Sequence, residues 1–276
     1  MTTRSDALPQ SLVLVGAGKM GGAMLDGWLK EGMPPSGVTV VDAHPSDALQ
    51  RLCAEKGIAL NPAEGPENPE VLVLAIKPQT LDEAAARVNG LLGSGTLLVS
   101  VLAGKTSADL KGRLPRATAV VRAMPNLPAS IGRGATGAAA TGEVSEAQRR
   151  MADTLLRAVG AVEWLPSEDL IDAVTAVSGG GPAYVFLLAE CLADAAIAAG
   201  LPEDVSRRLA RATVSGAGEL LARSDLEPAT LRQNVTSPGG TTAEALRVLM
   251  AEEGGLKPLL RDAVAAAKRR AGELAG

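Results

Sequence analysis

Two glycine-punctuated segments hold the residue types best suited to chemistry. Gly16-Ala17-Gly18-Lys19-Met20-Gly21 follows the apolar run 12–15 and opens a helix-periodic stretch. In that setting G-x-G-x-x-G suits a dinucleotide: Gly16 allows a tight turn, Gly18 lets a pyrophosphate approach the backbone, and Gly21 permits close helix–strand packing. The second segment, Thr236-Ser237-Pro238-Gly239-Gly240-Thr241-Thr242, runs into the apolar-periodic residues 243–250. Thr241 with Glu244 three residues on has the spacing of a capping box, which predicts Thr241 as the N-cap of a helix. The unpaired N–H groups of a first helical turn attract anions, so the segment is either an anion site or a hydroxyl-rich capped loop.

Other candidates surround these two. Asp42 ends a predicted strand, where a carboxylate can accept hydrogen bonds from ribose hydroxyls and disfavour a 2′-phosphate; the alternative is that it merely caps its own turn. Ala75-Ile76-Lys77-Pro78 ends another strand, with Lys77 facing either a phosphate or water. Ser178-Gly179-Gly180-Gly181-Pro182-Ala183-Tyr184 permits close backbone approach or serves as a hinge, with Pro182 expected at the first helical position. His44 is the single histidine, so mechanisms needing several imidazoles and a His-rich zinc site are excluded. It sits in a Pro-flanked turn and is expected at the surface. Cys53 and Cys191 are isolated and imply neither disulfide nor metal site.

The elements that must position these residues alternate. Strands are predicted at 12–15, 38–42, 71–77, 97–102 and 118–122, then at 134–140 and 161–165, with helices after the glycine motif, over 46–56 and from about residue 80. All-apolar strands alternating with helices predict an α/β, doubly wound, mostly parallel sheet. After about Pro166 strands give way to alanine-rich helical patterns over 182–199, 203–222, 243–252 and 256–274. The expected organisation is a Rossmann domain over 1–166 and an all-α domain over 167–276. The helix from Pro182 is apolar nearly all round, fitting a subunit interface or a bundle core. With 276 residues and a formal net charge of −4, the chain has no basic field for nucleic acid or an anionic membrane. Met1 to Ser11 is polar and resembles no signal peptide, so a cytoplasmic location is expected.

GAGKMGGAM, AIKP, Met124-Pro125-Asn126, SGGGPAY and TSPGGTT, in this order, resemble the pyrroline-5-carboxylate reductase family over nearly the whole chain. The resemblance implies NADPH or NADH as cofactor and pyrroline-5-carboxylate as substrate. It also implies a helical C-terminal dimerisation domain, and a homodimer or higher oligomer whose active site lies between the cofactor cleft and the helical domain of a neighbouring subunit. Gly16, Ala17, Gly18, Lys19, Met20 and Gly21 would hold the pyrophosphate. Ala75, Ile76, Lys77 and Pro78, with Val101, Leu102 and Ala103, would line the dinucleotide. Asn61 would sit at the adenosine side and Asn234 near the nicotinamide. Ser237, Gly240 and Thr241 would bind the substrate carboxylate, and Thr242 would face the imine nitrogen as the catalytic residue. Many relatives carry a hydroxyl or basic residue where Asp42, Ala43 and His44 stand, which sets NADH beside NADPH. Glu227-Pro228 replaces a frequent His-Pro before the TSPGG loop. β-Hydroxyacid dehydrogenases share the plan but resemble one another in using a helical-domain lysine, and no lysine occurs here between Lys111 and Lys257. A non-catalytic nucleotide sensor would need GAGKMG but not TSPGGTT.

Overall fold

A computed structural model describes residues 8–275; of the polar N-terminal stretch, residues 1–7 lie outside the described residues. The strands, in chain order, are β1 (Leu12–Val15), β2 (Val38–Val41), β3 (Ala59–Leu60), β4 (Val71–Leu74), β5 (Leu97–Ser100), β6 (Ala119–Met124), β7 (Gly134–Ala140) and β8 (Gly160–Trp164). Among the described residues these eight form one sheet in the order β3-β2-β1-β4-β5-β6-β7-β8. All neighbours are parallel except β6 and β7. This is the doubly wound order with its switch point between β1 and β4. Val15 pairs with Val41 on one side and Leu74 on the other, so β1, β2 and β4 end level. That register puts the glycine loop, Asp42 and Ala75 on one edge of the sheet.

Helices α1 (Lys19–Lys30), α2 (Asp47–Lys56), α3 (Leu81–Leu91), α4 (Ser107–Arg113), α5 (Glu146–Arg157) and the single turn α6 (Ile171–Val174) belong with the sheet. The strands are apolar throughout because both faces are covered. Leu12 and Leu14 pack with Met24, Trp28 and Leu155 on one face, whereas Val13 and Val15 join Leu81, Val88 and Leu110 on the other. Trp28 is fully buried and its indole N–H donates to the Leu155 carbonyl at 2.9 Å, tying α1 to α5. Trp164 is only half-buried; its indole N–H donates to Asp153, and the Arg149 guanidinium lies 4.3 Å from its ring centroid.

The structure departs locally from the sequence expectations. β4 and β5 stop at Leu74 and Ser100, before their apolar runs end, because the chain there turns out of the ladder at the sheet's edge. α4 and α5, both absent from the sequence reading, begin at capping boxes in which Thr106 pairs with Asp109 and Ser145 with Gln148.

By contacts the chain divides into two compact units, one running through Gly179 and resuming at Lys268, the other spanning Gly180–Ala267. The second contains α7 (Gly181–Ala198), α8 (Glu203–Arg223), α9 (Pro228–Asn234), α10 (Thr241–Leu249) and most of α11 (Leu256–Ala275). Pro182 is the second residue of α7, after N-cap Gly180, rather than the first. α7 packs along α8, and Ala193 on the one and Ala210 on the other are buried. Val185, Phe186, Leu187 and Leu188 on α7 nevertheless remain about half exposed.

Replacing Trp28 by alanine removes a large buried ring and leaves the Leu155 carbonyl without its donor. The expected loss is about 3–5 kcal/mol of stability. Urea unfolding followed by circular dichroism measures it, and a loss under about 1 kcal/mol would contradict the packing described here.

Candidate functional site

The first candidate site is built by sterics at the carboxyl ends of β1 and β4. Gly16 has φ +89 and donates its N–H to the Val41 carbonyl at 2.8 Å. A β-carbon there would lie 2.8 Å from backbone atoms of Ala75 and Ile76. At Gly21 it would meet the Gly16 carbonyl oxygen at 2.0 Å, so only glycine lets α1 descend so closely onto the end of β1. Gly18 differs, because a β-carbon there would meet nothing within 4 Å. Gly18 is the N-cap of α1, and no side chain caps it. The first-turn N–H groups, including those of Lys19 and Met20, thus follow an N-cap with open space beside it and no capping side chain, which fits an anionic pyrophosphate.

The flanking residues close around this edge. The Ala75 N–H donates to the Val15 carbonyl at 2.8 Å, holding the start of the Ala75-Ile76-Lys77-Pro78 segment against the glycine loop. Lys77 is exposed, and its carbonyl accepts from the Thr80 hydroxyl at 2.9 Å. Leu102 is buried in the core while Val101 is half-buried and Ala103 exposed, so within this turn Leu102 offers backbone rather than side chain.

The Asp42 carboxylate bridges two turns: Oδ2 accepts from the Ala17 N–H at 2.7 Å and Oδ1 from the His44 N–H at 2.8 Å. Asn61 grips the backbone of the same residue, its Oδ1 accepting from the Asp42 N–H at 3.0 Å and its Nδ2 donating to the Asp42 carbonyl at 2.7 Å. The His44 side chain is exposed.

The second candidate lies in the Gly180–Ala267 unit. Gly239 has φ +69, which turns the chain so that Gly240 enters extended and becomes the N-cap of α10. The predicted capping box does not form: Thr241 is already the first helical residue, no side chain caps the helix, and the Glu244 carboxylate instead accepts from Arg247 Nε at 3.1 Å. The Ala243 and Glu244 N–H groups turn back to the Gly240 carbonyl. Those of Thr241 and Thr242 precede any intrahelical acceptor and point out of the helix start. Ser237, Thr241 and Thr242 are exposed, as is Asn234 on α9.

Sequence reasoning named Asn126 only within a motif, without its partners, and missed the group around Glu168; both lie in the first unit. Asn126, 8% exposed, accepts from the Ala135 N–H at 2.8 Å through Oδ1 and donates from Nδ2 to the Ser178 carbonyl at 2.9 Å. Ser178 lies in a π-helical turn, Thr175–Gly179, whose wider winding displaces carbonyls from the usual ladder. Asn126 satisfies one of them. The second group centres on Glu168, which accepts from the Ser107 hydroxyl at 2.7 Å and pairs with the buried Arg122 at 3.4 Å. An arginine inside an otherwise apolar strand was the available signal. Among the described residues no cluster of side chains could hold a metal ion.

A switch-point glycine cradle at the N-terminus of a helix, followed by a helical unit with a second glycine-opened helix start, defines a Rossmann-type dinucleotide-dependent oxidoreductase. Residues 168–274 match the family model for pyrroline-5-carboxylate reductase dimerisation, and residues 11–104 that for coenzyme F420-dependent NADP oxidoreductases. Relatives named pyrroline-5-carboxylate reductase include those of Pseudomonas aeruginosa, 38% identical over 96% of each chain, and of Synechocystis, 40% identical over 95% of this chain and 97% of the relative. A solved pyrroline-5-carboxylate reductase from Coxiella burnetii superimposes with a TM-score of 0.89 at 35% identity, covering 97% of this chain and 99% of that one. The Plasmodium falciparum pyrroline carboxylate reductase, solved with NADP bound, gives 0.77 at 25% identity over 96% and 98%. The chain belongs to the pyrroline-5-carboxylate reductase family.

The steric argument separates neighbouring glycines. Gly21→Ala drives a β-carbon into the Gly16 carbonyl and is expected to abolish dinucleotide binding, whereas Gly22→Ala, where the nearest contact is 3.4 Å, should bind normally. Titration of both variants with NADH, followed by cofactor fluorescence, checks this; equal affinities would overturn it.

Proposed function

We propose that this chain catalyses NAD(P)H-dependent reduction of 1-pyrroline-5-carboxylate to L-proline, the last step of proline biosynthesis. In this reading residues 1–166 bind the dinucleotide and 167–276 bind substrate and dimerise. The observation that carries the substrate assignment is the start of α10: a glycine N-cap, two outward N–H groups and adjacent threonine hydroxyls, with no capping side chain in the way. A small cyclic imine bearing a carboxylate needs an anion site and one hydrogen-bond donor, and this turn supplies both.

When bound, NAD(P)H would supply the hydride that the imine carbon accepts. Ser237 and the backbone of Gly240 and Thr241 hold the carboxylate, which orients the ring. The Thr242 hydroxyl hydrogen-bonds the ring nitrogen as it gains amine character, with Asn234 placed at the nicotinamide side. A protonated imine needs little acid catalysis, consistent with a chain whose single histidine is His44 in the turn after β2. At the other end, GAGKMG, Asp42, Asn61, the 75–78 segment and the 101–103 turn bind the dinucleotide. The unit runs as a homo-oligomer, with the active site completed near the subunit interface. The helical run Glu168–Ala198 is apolar and long enough to cross a bilayer, and almost none of it is buried within the chain. A second copy rather than lipid covers it, and the enzyme works in the cytoplasm. The same partner covers a 950 Å³ groove lined by Leu246, Leu249, Met250, Leu256 and Leu260, which contains none of the substrate-binding residues.

Oxidation of NADH or NADPH with pyrroline-5-carboxylate, against reverse assays on 3-hydroxy acids, tests the activity; turnover of the hydroxy acids alone would refute it. Thr242→Ala should lower kcat about 10- to 1000-fold with dinucleotide affinity unchanged, while Thr242→Ser keeps most activity. Steady-state kinetics with thermal unfolding decides this, since a stability loss without a catalytic defect would make Thr242 structural. Leu188→Arg places a charge on the apolar face of α7 and should release monomers and activity together, as read by light scattering and assay.

A further inference from the structure

We infer that Asn61 is a positioning residue for cofactor choice: its side-chain amide fixes the backbone of Asp42 so that the Asp42 carboxylate both fastens the glycine-rich loop and opposes a 2′-phosphate, making the chain selective for NADH. This rests on the dinucleotide-binding part of the reading above and deepens it.

Asn61 follows the two-residue strand β3 and adopts φ +48, a left-handed conformation that asparagine tolerates better than most side chains. Its own N–H donates to the Val40 carbonyl at 2.8 Å. Where β3 has already ended, the Asn61 amide then takes over from a backbone strand: Oδ1 accepts from the Asp42 N–H and Nδ2 donates to the Asp42 carbonyl. Both backbone polar groups of Asp42 are thereby satisfied by one side chain, which fixes where its carboxylate can reach. That carboxylate accepts from the Ala17 N–H at 2.7 Å, inside the loop between Gly16 and Gly18. Asn61, Asp42 and Ala17 thus form one chain of hydrogen bonds from the sheet edge to the pyrophosphate loop.

The surroundings offer a 2′-phosphate little. No lysine or arginine occurs between Lys30 and Arg51, whereas Asp42 and Asp47 both do. The Ser46 hydroxyl accepts from the Leu49 N–H at 3.2 Å as the cap of α2, and His44 is exposed. A 2′-phosphate beside Asp42 brings like charges together, and moving the carboxylate aside breaks its bond to Ala17 and loosens the loop. NADPH is therefore penalised twice through one residue. NADH meets neither penalty and gains a carboxylate acceptor for its ribose hydroxyls.

The test is calorimetric titration of the full-length protein with NADH and with NADPH, alongside amide hydrogen exchange of the segment containing Ala17. The wild type should bind NADH at least about ten-fold more tightly than NADPH. Asp42→Ala should bring the two affinities toward equality and speed exchange at Ala17. Asn61→Gly keeps the left-handed backbone accessible and deletes only the amide; it should also narrow the preference, chiefly by weakening NADH. A merely structural role for Asn61 would weaken both dinucleotides by the same factor and leave their ratio unmoved. Wild-type preference for NADPH, or an unmoved ratio in both variants, overturns this inference while leaving the reductase reading intact. A wild type that binds neither NADH nor NADPH overturns both.

Discussion

The carbonyl oxygen of Gly16 lies 2.0 Å from where a β-carbon at position 21 would stand, and the candidate nucleotide-binding edge depends on that coincidence. Because residue 21 is glycine, α1 comes down onto the end of β1 with its N-terminus at the rim of the sheet. Because β1, β2 and β4 end in register, the residues that follow them, Gly16, Asp42 and Ala75, emerge together. The two apolar faces of β1 then anchor this arrangement from both sides, through Trp28 and Leu155 on one and Leu81 and Leu110 on the other. A helix dipole, open N–H groups and a carboxylate converge there as a consequence of backbone packing rather than of any one reactive side chain.

The second unit follows a different rule. Its helices present apolar side chains outward on α7, α8, α10 and α11, including Leu188, Leu220, Val248 and Leu259. A monomeric globular unit of this size would bury such residues in itself. Surface of this kind is characteristic of obligate homodimers, whose interfaces resemble a domain core cut in two. The family model that matches this region describes dimerisation.

What could be read from the sequence was what sterics and periodicity enforce locally. The all-apolar strands announced a sheet covered on both faces, and the glycine spacing announced a helix packed on a strand end. Thr241 and Glu244 misled because the S/T-x-x-E pattern carries no information on the left-handed turn at Gly239, which hands the cap to Gly240. β3 is too short to leave a periodic signal, whereas the capping boxes opening α4 and α5 were legible and went unread. The pairings of Asn126 with Ser178 and Arg122 with Glu168 join residues 52 and 46 positions apart, and no local pattern encodes such contacts. The grip of Asn61 on Asp42 is of the same kind.

The placement of the aromatic residues divides the molecule optically. The two tryptophans, Trp28 sealed in the core and Trp164 half-open against Arg149, both lie in the sheet-bearing unit. The single tyrosine and single phenylalanine, Tyr184 and Phe186, both lie on α7 of the other. Indole emission therefore originates wholly in the sheet-bearing unit, with Trp28 shielded from quenchers and Trp164 partly open to them. The helical unit contains no indole of its own, so its aromatic signal is that of Tyr184 and Phe186 alone.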